Sequence, residues 1–127
     1  MLRPAVLPRV ARRIRRVWQV VREDDYIAEP KDDGYRALHM VVRRDYRLVE
    51  IQLRTPGPHV WAELVDDLTA LTAYDVKHGE GPDELRTALR DLASLLAGIE
   101  DGSVPADETT TAELVRLVTA AYEFRGS

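Results

Sequence analysis

The chain has 127 residues, 45% of them hydrophobic and 31% charged, with a formal net charge of −4 and no cysteine. Such a length fits one domain of about 100–200 residues; the missing cysteines exclude disulfides, thiolate chemistry and cysteine-type zinc sites, and no run approaches the ~18 apolar residues of a membrane span. Residues 1–54 carry 13 Lys and Arg against 8 Asp and Glu, while residues 55–127 carry 5 against 14, so the front half suits phosphate-bearing ligands and the back half suits solubility or a basic partner.

The arginine-rich start has no long apolar segment or small-residue cleavage site, which argues against secretion and fits a cytoplasmic protein with no membrane partner. Leu7, Val10, Ala11, Ile14, Val17 and Trp18 recur at helical spacing, with Arg9, Arg12, Arg13 and Arg16 largely off that stripe. This predicts an amphipathic helix with one packed face. Its arginines are compatible with RNA, but nothing specific supports that partner, and a solvated face is the better reading. Val20, Val21, Tyr26 and Ile27 then supply a strand that Pro30 ends. In the loop KDDG, Gly34 is suited to a positive φ. Strand-like runs follow at Tyr35–Arg43 and Arg47–Arg54, joined by a tight turn at Asp45 and Tyr46.

From Pro58 the period becomes helical, with Val60, Trp61, Leu64, Val65, Leu68 and Leu71 on one stripe. KHGEGP breaks that helix. A second begins near Pro82 with Leu85, Leu89, Leu92, Leu96 and Ile99, and a third runs over residues 109–124 after the breaker DGSVPADE. The stripes of these last two helices predict packing or assembly, with apolar surface left for a homo-oligomer.

The hairpin carries the chemistry. A two-residue turn at Asp45–Tyr46 pairs Leu38 with Leu53, Met40 with Ile51 and Val42 with Val49, so these six apolar residues share one face. The opposite face then presents Tyr35, Ala37, His39, Val41 and Arg43 beside Glu50, Gln52 and Arg54, next to the loop that carries Lys31. Antiparallel sheets often keep one wet face, which would explain Glu50 or Gln52 taken singly. The whole set better suits magnesium-dependent phosphoryl-type transfer. A carboxylate can hold Mg2+ or accept a hydroxyl proton, Lys and Arg neutralise phosphate oxygens, and Tyr offers a stacking plane. His39, His59 and His78 lack the spacing of a metal motif.

These residues resemble the synthetase domain of the RelA/SpoT family, which makes guanosine tetra- and pentaphosphate. The resemblance rests on DYIAEPKDDGYRALH (25–39), VEIQLRT (49–55) and HVWAEL (59–64), with YDVKHGEG (74–81) as a looser continuation. It implies a nucleotidyltransferase-like α+β fold, with a partial mixed or antiparallel sheet and flanking helices. Residues 1–81 would form the synthetase-like core and residues 82–127 a helical extension. The implied reaction moves pyrophosphate from ATP to the 3′-hydroxyl of GDP or GTP, with Mg2+. By position, Tyr35 resembles the residue that stacks on the acceptor guanine, and Lys31 and His39 resemble ligands of the acceptor and its phosphates. Glu50 resembles the catalytic carboxylate that binds magnesium or activates the hydroxyl, with Gln52 and Arg54 in support.

Two departures stand out. Asp33 occupies a place where the family usually has asparagine, bringing a negative charge toward the base. The family's Asp-x-x-Gly-x-Arg stretch, which supplies a second magnesium carboxylate, has no counterpart, so the sequence predicts a partial synthetase domain, weak or inactive alone. A guanine-nucleotide-binding or assembly module, and transfer to another acceptor such as an RNA 3′ end or an adenine nucleotide, are the alternatives.

Overall fold

A computed structural model describes residues 2–126. Its elements in chain order are α1 (Leu7–Val17), β1 (Gln19–Asp25), β2 (Leu38–Arg44), β3 (Arg47–Leu53), α2 (Pro56–Leu71), a single 3-10 turn (Val76–His78), α3 (Asp83–Asp101) and α4 (Glu108–Tyr122). They divide into two units, Met1–Lys31 with Arg36–Pro56, and Asp32–Tyr35 with Gly57–Ser127. The division differs from the expected boundary at residue 81. The apolar stripe of α2 is completed by α3 and α4, so the three helices share one core.

The first unit is one helix on a three-stranded antiparallel sheet of order β1-β2-β3. Pro8 stands in the first turn of α1, where a missing amide proton costs nothing. Leu7, Ala11 and Ile14 bury against Leu38, Met40, Val42 and Leu53, as the helical and alternating periods require. The β2–β3 register is the one expected, with Leu38 opposite Leu53, Met40 opposite Ile51 and Val42 opposite Val49. Asp45 and Tyr46 both have positive φ, 51° and 63°, the backbone of a two-residue turn whose twist matches the strands. Val49 departs from expectation and is 42% exposed. One helix lies on the sheet, and it covers the central strand better than the edge strand β3.

β1 is less regular. Its pairing with β2 shifts between Val20 and Arg22, leaving Val21 as a bulge. A bulge reverses which face later residues occupy. Val20 packs toward the α1 core. Beyond the bulge Glu23 lies opposite Met40 on the core side, where it makes a two-pronged pair with Arg15 of α1. Asp24, opposite His39, is thereby placed on the other face.

In the second unit Trp61, Leu64, Val65 and Leu68 of α2 share a core with Leu85, Leu89 and Leu92 of α3 and with Leu117 and Ala121 of α4. The Trp61 indole Nε1–H donates to the Leu89 carbonyl at 2.8 Å, so the one polar atom of that ring is satisfied inside the core. Asp107 caps α4 by accepting from the Thr110 amide at 2.9 Å. The stripes expected to leave apolar surface open are mostly consumed here: Leu85, Leu89, Leu92, Leu117 and Ala121 are buried, and Leu96, Leu114 and Val118 are half-buried. No helix among the described residues is long and apolar enough to cross a membrane.

Candidate functional site

The sheet face turned away from α1 carries Asp24 from β1, His39 and Val41 from β2, and Glu50 and Gln52 from β3. Strand pairing sets His39 opposite both Asp24 and Gln52, and Val41 opposite Glu50. At its centre the His39 Nδ1 lies 3.3 Å from Glu50 Oε1, with the His39 side chain 17% exposed and that of Glu50 52% exposed. The Gln52 side-chain amide donates to the same Glu50 oxygen at 3.1 Å. The carboxylate is thus oriented by two neighbours while staying open to solvent or a ligand.

Tyr26 and Lys31 extend the cluster. The Tyr26 amide donates to the Ala37 carbonyl at 2.8 Å, one step beyond the last β1–β2 pair. The Tyr26 ring meets His39 edge-on, with centroids 5.2 Å apart. Lys31 Nζ sits 4.7 Å from the centre of the Tyr26 ring, a distance at which the ammonium and the ring quadrupole attract. Lys31, Tyr26, His39, Glu50 and Gln52 therefore form one chain of contacts.

Burial is the largest influence on His39 and lowers its pKa below the ordinary value of 6.5. Glu50 works against that shift, Lys31 adds to it, Asp24 opposes it and Arg54 adds to it. Burial wins, so the imidazole is neutral near pH 7 although a carboxylate lies beside it. A neutral ring with Nδ1–H directed at Glu50 presents Nε2 as an acceptor. Arg54, directly after β3, is half-buried and close enough to act on His39, so all five of Lys31, His39, Glu50, Gln52 and Arg54 come together in the first unit.

Tyr35 and Asp33 do not lie on this strand face. Strand β2 starts only at Leu38, and residues 32–35 belong to the second unit. There the Tyr35 ring lies tilted against Trp61 with centroids 6.2 Å apart. The Asp33 carboxylate accepts from the Tyr35 amide at 3.0 Å, the side-chain-to-backbone bond by which Asp and Asn both hold turns. Gly34 between them has φ of +99°. The acid at position 33 thus does the same turn-forming work as an asparagine would.

Tyr26 and Asp24 are the two residues that strand parity alone does not place in the cluster. The signal available for Tyr26 is its position in DYI, at the end of a polar strand. Glu50 is a hard oxygen ligand beside His39, on which the charges of Lys31 and Arg54 also act, a set that suits Mg2+ held by one carboxylate together with substrate phosphates. Among the described residues no group of three or more His, Asp or Glu could hold a metal without such help.

Residues 6–74 match the profile of the region found in RelA and SpoT proteins. The GTP pyrophosphokinase YwaC of Bacillus subtilis is 31% identical over 85 residues, covering 61% of this chain and 38% of that protein. Among solved structures, a GTP pyrophosphokinase family protein from Streptococcus pneumoniae superposes with a TM-score of 0.64 at 24% identity, over 79% of this chain and 55% of that one. Small alarmone synthetase 1 of Bacillus subtilis, solved with its product pppGpp, gives a TM-score of 0.58 at 24% identity, over 75% of this chain and 50% of that one. The fold is theirs, nucleotidyltransferase-like α+β, and the matched part spans well under two-thirds of each relative.

Proposed function

The chain belongs to the RelA/SpoT family, and on that basis we propose that it takes part, in the cytoplasm, in pyrophosphate transfer from ATP to the 3′-hydroxyl of GDP or GTP. The observation that carries this reading is the His39–Glu50–Gln52 arrangement on one sheet face, continued to Lys31 through Tyr26. In the proposed step Glu50 accepts the proton of the 3′-hydroxyl. The 3′-oxygen forms a bond to the β-phosphorus of ATP, the bond from that phosphorus to the α–β bridging oxygen breaks, and AMP leaves with that oxygen. Gln52 and His39 orient the carboxylate. Lys31 and Arg54 neutralise phosphate oxygens, and Tyr35 offers its ring to the guanine, presented by the Asp33 turn. Glu50 would hold Mg2+ together with the substrate phosphates, and the ion would supply charge neutralisation on the transferred group.

Transfer of this kind depends on positioning, and orienting both reactants can contribute ~7–11 kcal/mol to lowering the barrier. The residues identified here serve the acceptor, and the family's Asp-x-x-Gly-x-Arg segment has no counterpart in the 127 residues. This supports nucleotide binding with weak turnover by the chain alone. The test incubates it with radiolabelled ATP, GDP and Mg2+, resolves products by chromatography, and measures GDP binding by calorimetry. Tyr35→Ala should weaken GDP binding. Glu50→Gln should lower any turnover by about 100-fold or more, as loss of a general base does, while sparing binding. Turnover unaffected by Glu50→Gln would refute the assignment. Guanine-nucleotide binding with no transfer would favour a binding or assembly module, and transfer to RNA 3′ ends or adenine nucleotides would move the acceptor.

A further inference from the structure

The first unit has a second polar surface that the sheet face does not use. Arg9, Arg12, Arg13 and Arg16 fall on one stripe of α1, opposite the buried Leu7, Ala11 and Ile14, and all four are exposed. The stripe rises about 10 Å along the helix axis. None of the four has an ion-pair partner among the described residues, whereas Arg15, off the stripe, is bound by Glu23. The negative end of the helix dipole accounts for a cation at Arg16 but not at Arg9, Arg12 or Arg13. Like charges at three- and four-residue spacing weaken a helix, so the fold alone gives no reason for the stripe.

The C-terminal end of α1 meets the hairpin tip. Trp18, at the C-terminal end of α1, lies under the guanidinium of Arg44, 5.1 Å from the ring centre. Around the tip, on the side of Trp18, Arg44 and Arg47 are exposed, and Tyr46 is fully exposed at 101%. Tyr46 holds a φ of +63° in a turn position that glycine ordinarily fills. A fully solvated aromatic there meets a backbone cost and gains no packing, the kind of local outlier that points to function.

We propose that α1 and the hairpin tip form a binding surface for single-stranded nucleic acid. The arginines follow successive phosphates and Tyr46 stacks on a base, the pairing of cationic track and aromatic platform that such ligands require. A membrane surface fits less well, because the apolar face of α1 is already buried in the core and cannot enter lipid.

Anisotropy titrations of the full chain against fluorescent 12-mer oligo(U) and oligo(dT), with anionic phosphatidylserine vesicles and polyglutamate as competitors, test this. With Arg9, Arg12, Arg13, Arg16, Arg44 and Arg47 engaged, the slope of log K against log salt is about −4, and Arg12→Gln with Arg13→Gln reduces its magnitude by ~1.4. Tyr46→Ala weakens binding by roughly 10-fold with no change of slope. Circular dichroism confirms that each variant folds. Tighter binding of oligo(U) than of oligo(dT) identifies RNA as the ligand, and equal binding identifies single strands in general. Absence of binding at 50 mM salt, vesicles or polyglutamate outcompeting both oligonucleotides, or a Tyr46→Ala variant that binds like the parent would each overturn the proposal.

Discussion

Replacing Gly34 by alanine tests how the loop that carries Tyr35 is held. Gly34 has φ of +99°, and a Cβ built on it would lie 2.6 Å from the Cβ of Ala93 on α3. The left-handed conformation costs an L-residue about 1–2 kcal/mol, and forcing a methyl into filled space costs about 1–3 kcal/mol more. The loop has little room to retreat, since Arg90 Nε donates to the Asp32 carbonyl at 3.0 Å and Asp33 holds the Tyr35 amide. Gly34→Ala should therefore destabilise the second unit by about 2–5 kcal/mol. Ala93→Gly removes the opposing methyl at about 1 kcal/mol of helix propensity. The double variant should recover the steric share and retain the dihedral share, giving a coupling of about 1–3 kcal/mol. Urea unfolding followed by Trp61 fluorescence in a Trp18→Phe background measures each corner of the cycle. Additivity within about 0.5 kcal/mol would refute the reasoning and show that the loop relaxes away from α3.

The hairpin was legible because two independent constraints agree. The alternation of Leu38, Met40 and Val42 with Val49, Ile51 and Leu53 admits one register for a two-residue turn, and that register is observed. Glu50, Gln52 and His39 follow from it without further choice. Tyr35 was misplaced because alternation continues through Ala37 as though the strand did. The chain instead leaves the sheet where the Asp33 turn and the positive φ of Gly34 redirect it, and Tyr35 finds a neighbour in Trp61. Asp24 and Tyr26 were hidden for a different reason. Their placement depends on the bulge at Val21, and a valine carries no local mark of a bulge; one inserted residue reverses the faces of everything after it. The expectation of some open apolar surface on the last two helices reckoned with the sheet and overlooked a nearer partner; Leu96, Leu114 and Val118 stay half-buried and Val115 is exposed. Trp61, Leu64, Val65 and Leu68 of α2 provide that partner within the unit.

Met40→Ala should cost about 2–5 kcal/mol as a cavity in the α1–sheet core, whereas Val49→Ala, on the exposed edge strand, should stay within about 0.5 kcal/mol; thermal or urea unfolding compares them directly. Trp61→Phe removes the buried N–H donor to Leu89 and should cost about 1 kcal/mol, measured by urea unfolding followed by circular dichroism. The last expectation concerns the ionisation of His39, read by NMR from its imidazole C2–H, with His39→Gln identifying the signal among the three histidines. Burial holds the folded pKa below 6.5, so on acidification the unfolded chain takes up a proton before the folded one does. Stability from this group is therefore fully present above the unfolded value, and is lost as pH falls from there through the folded pKa; His39→Gln should flatten that part of the profile. Glu50 favours the imidazolium and Lys31 disfavours it, so Glu50→Gln should move the His39 midpoint further down and Lys31→Gln should move it up. The two shifts of opposite sign distinguish a shared site from a general loss of structure, which would return His39 toward 6.5 in both variants. A midpoint indifferent to Glu50→Gln would mean that the carboxylate does not stand beside the imidazole in solution, and the acceptor-side arrangement built on that pair would fall with it.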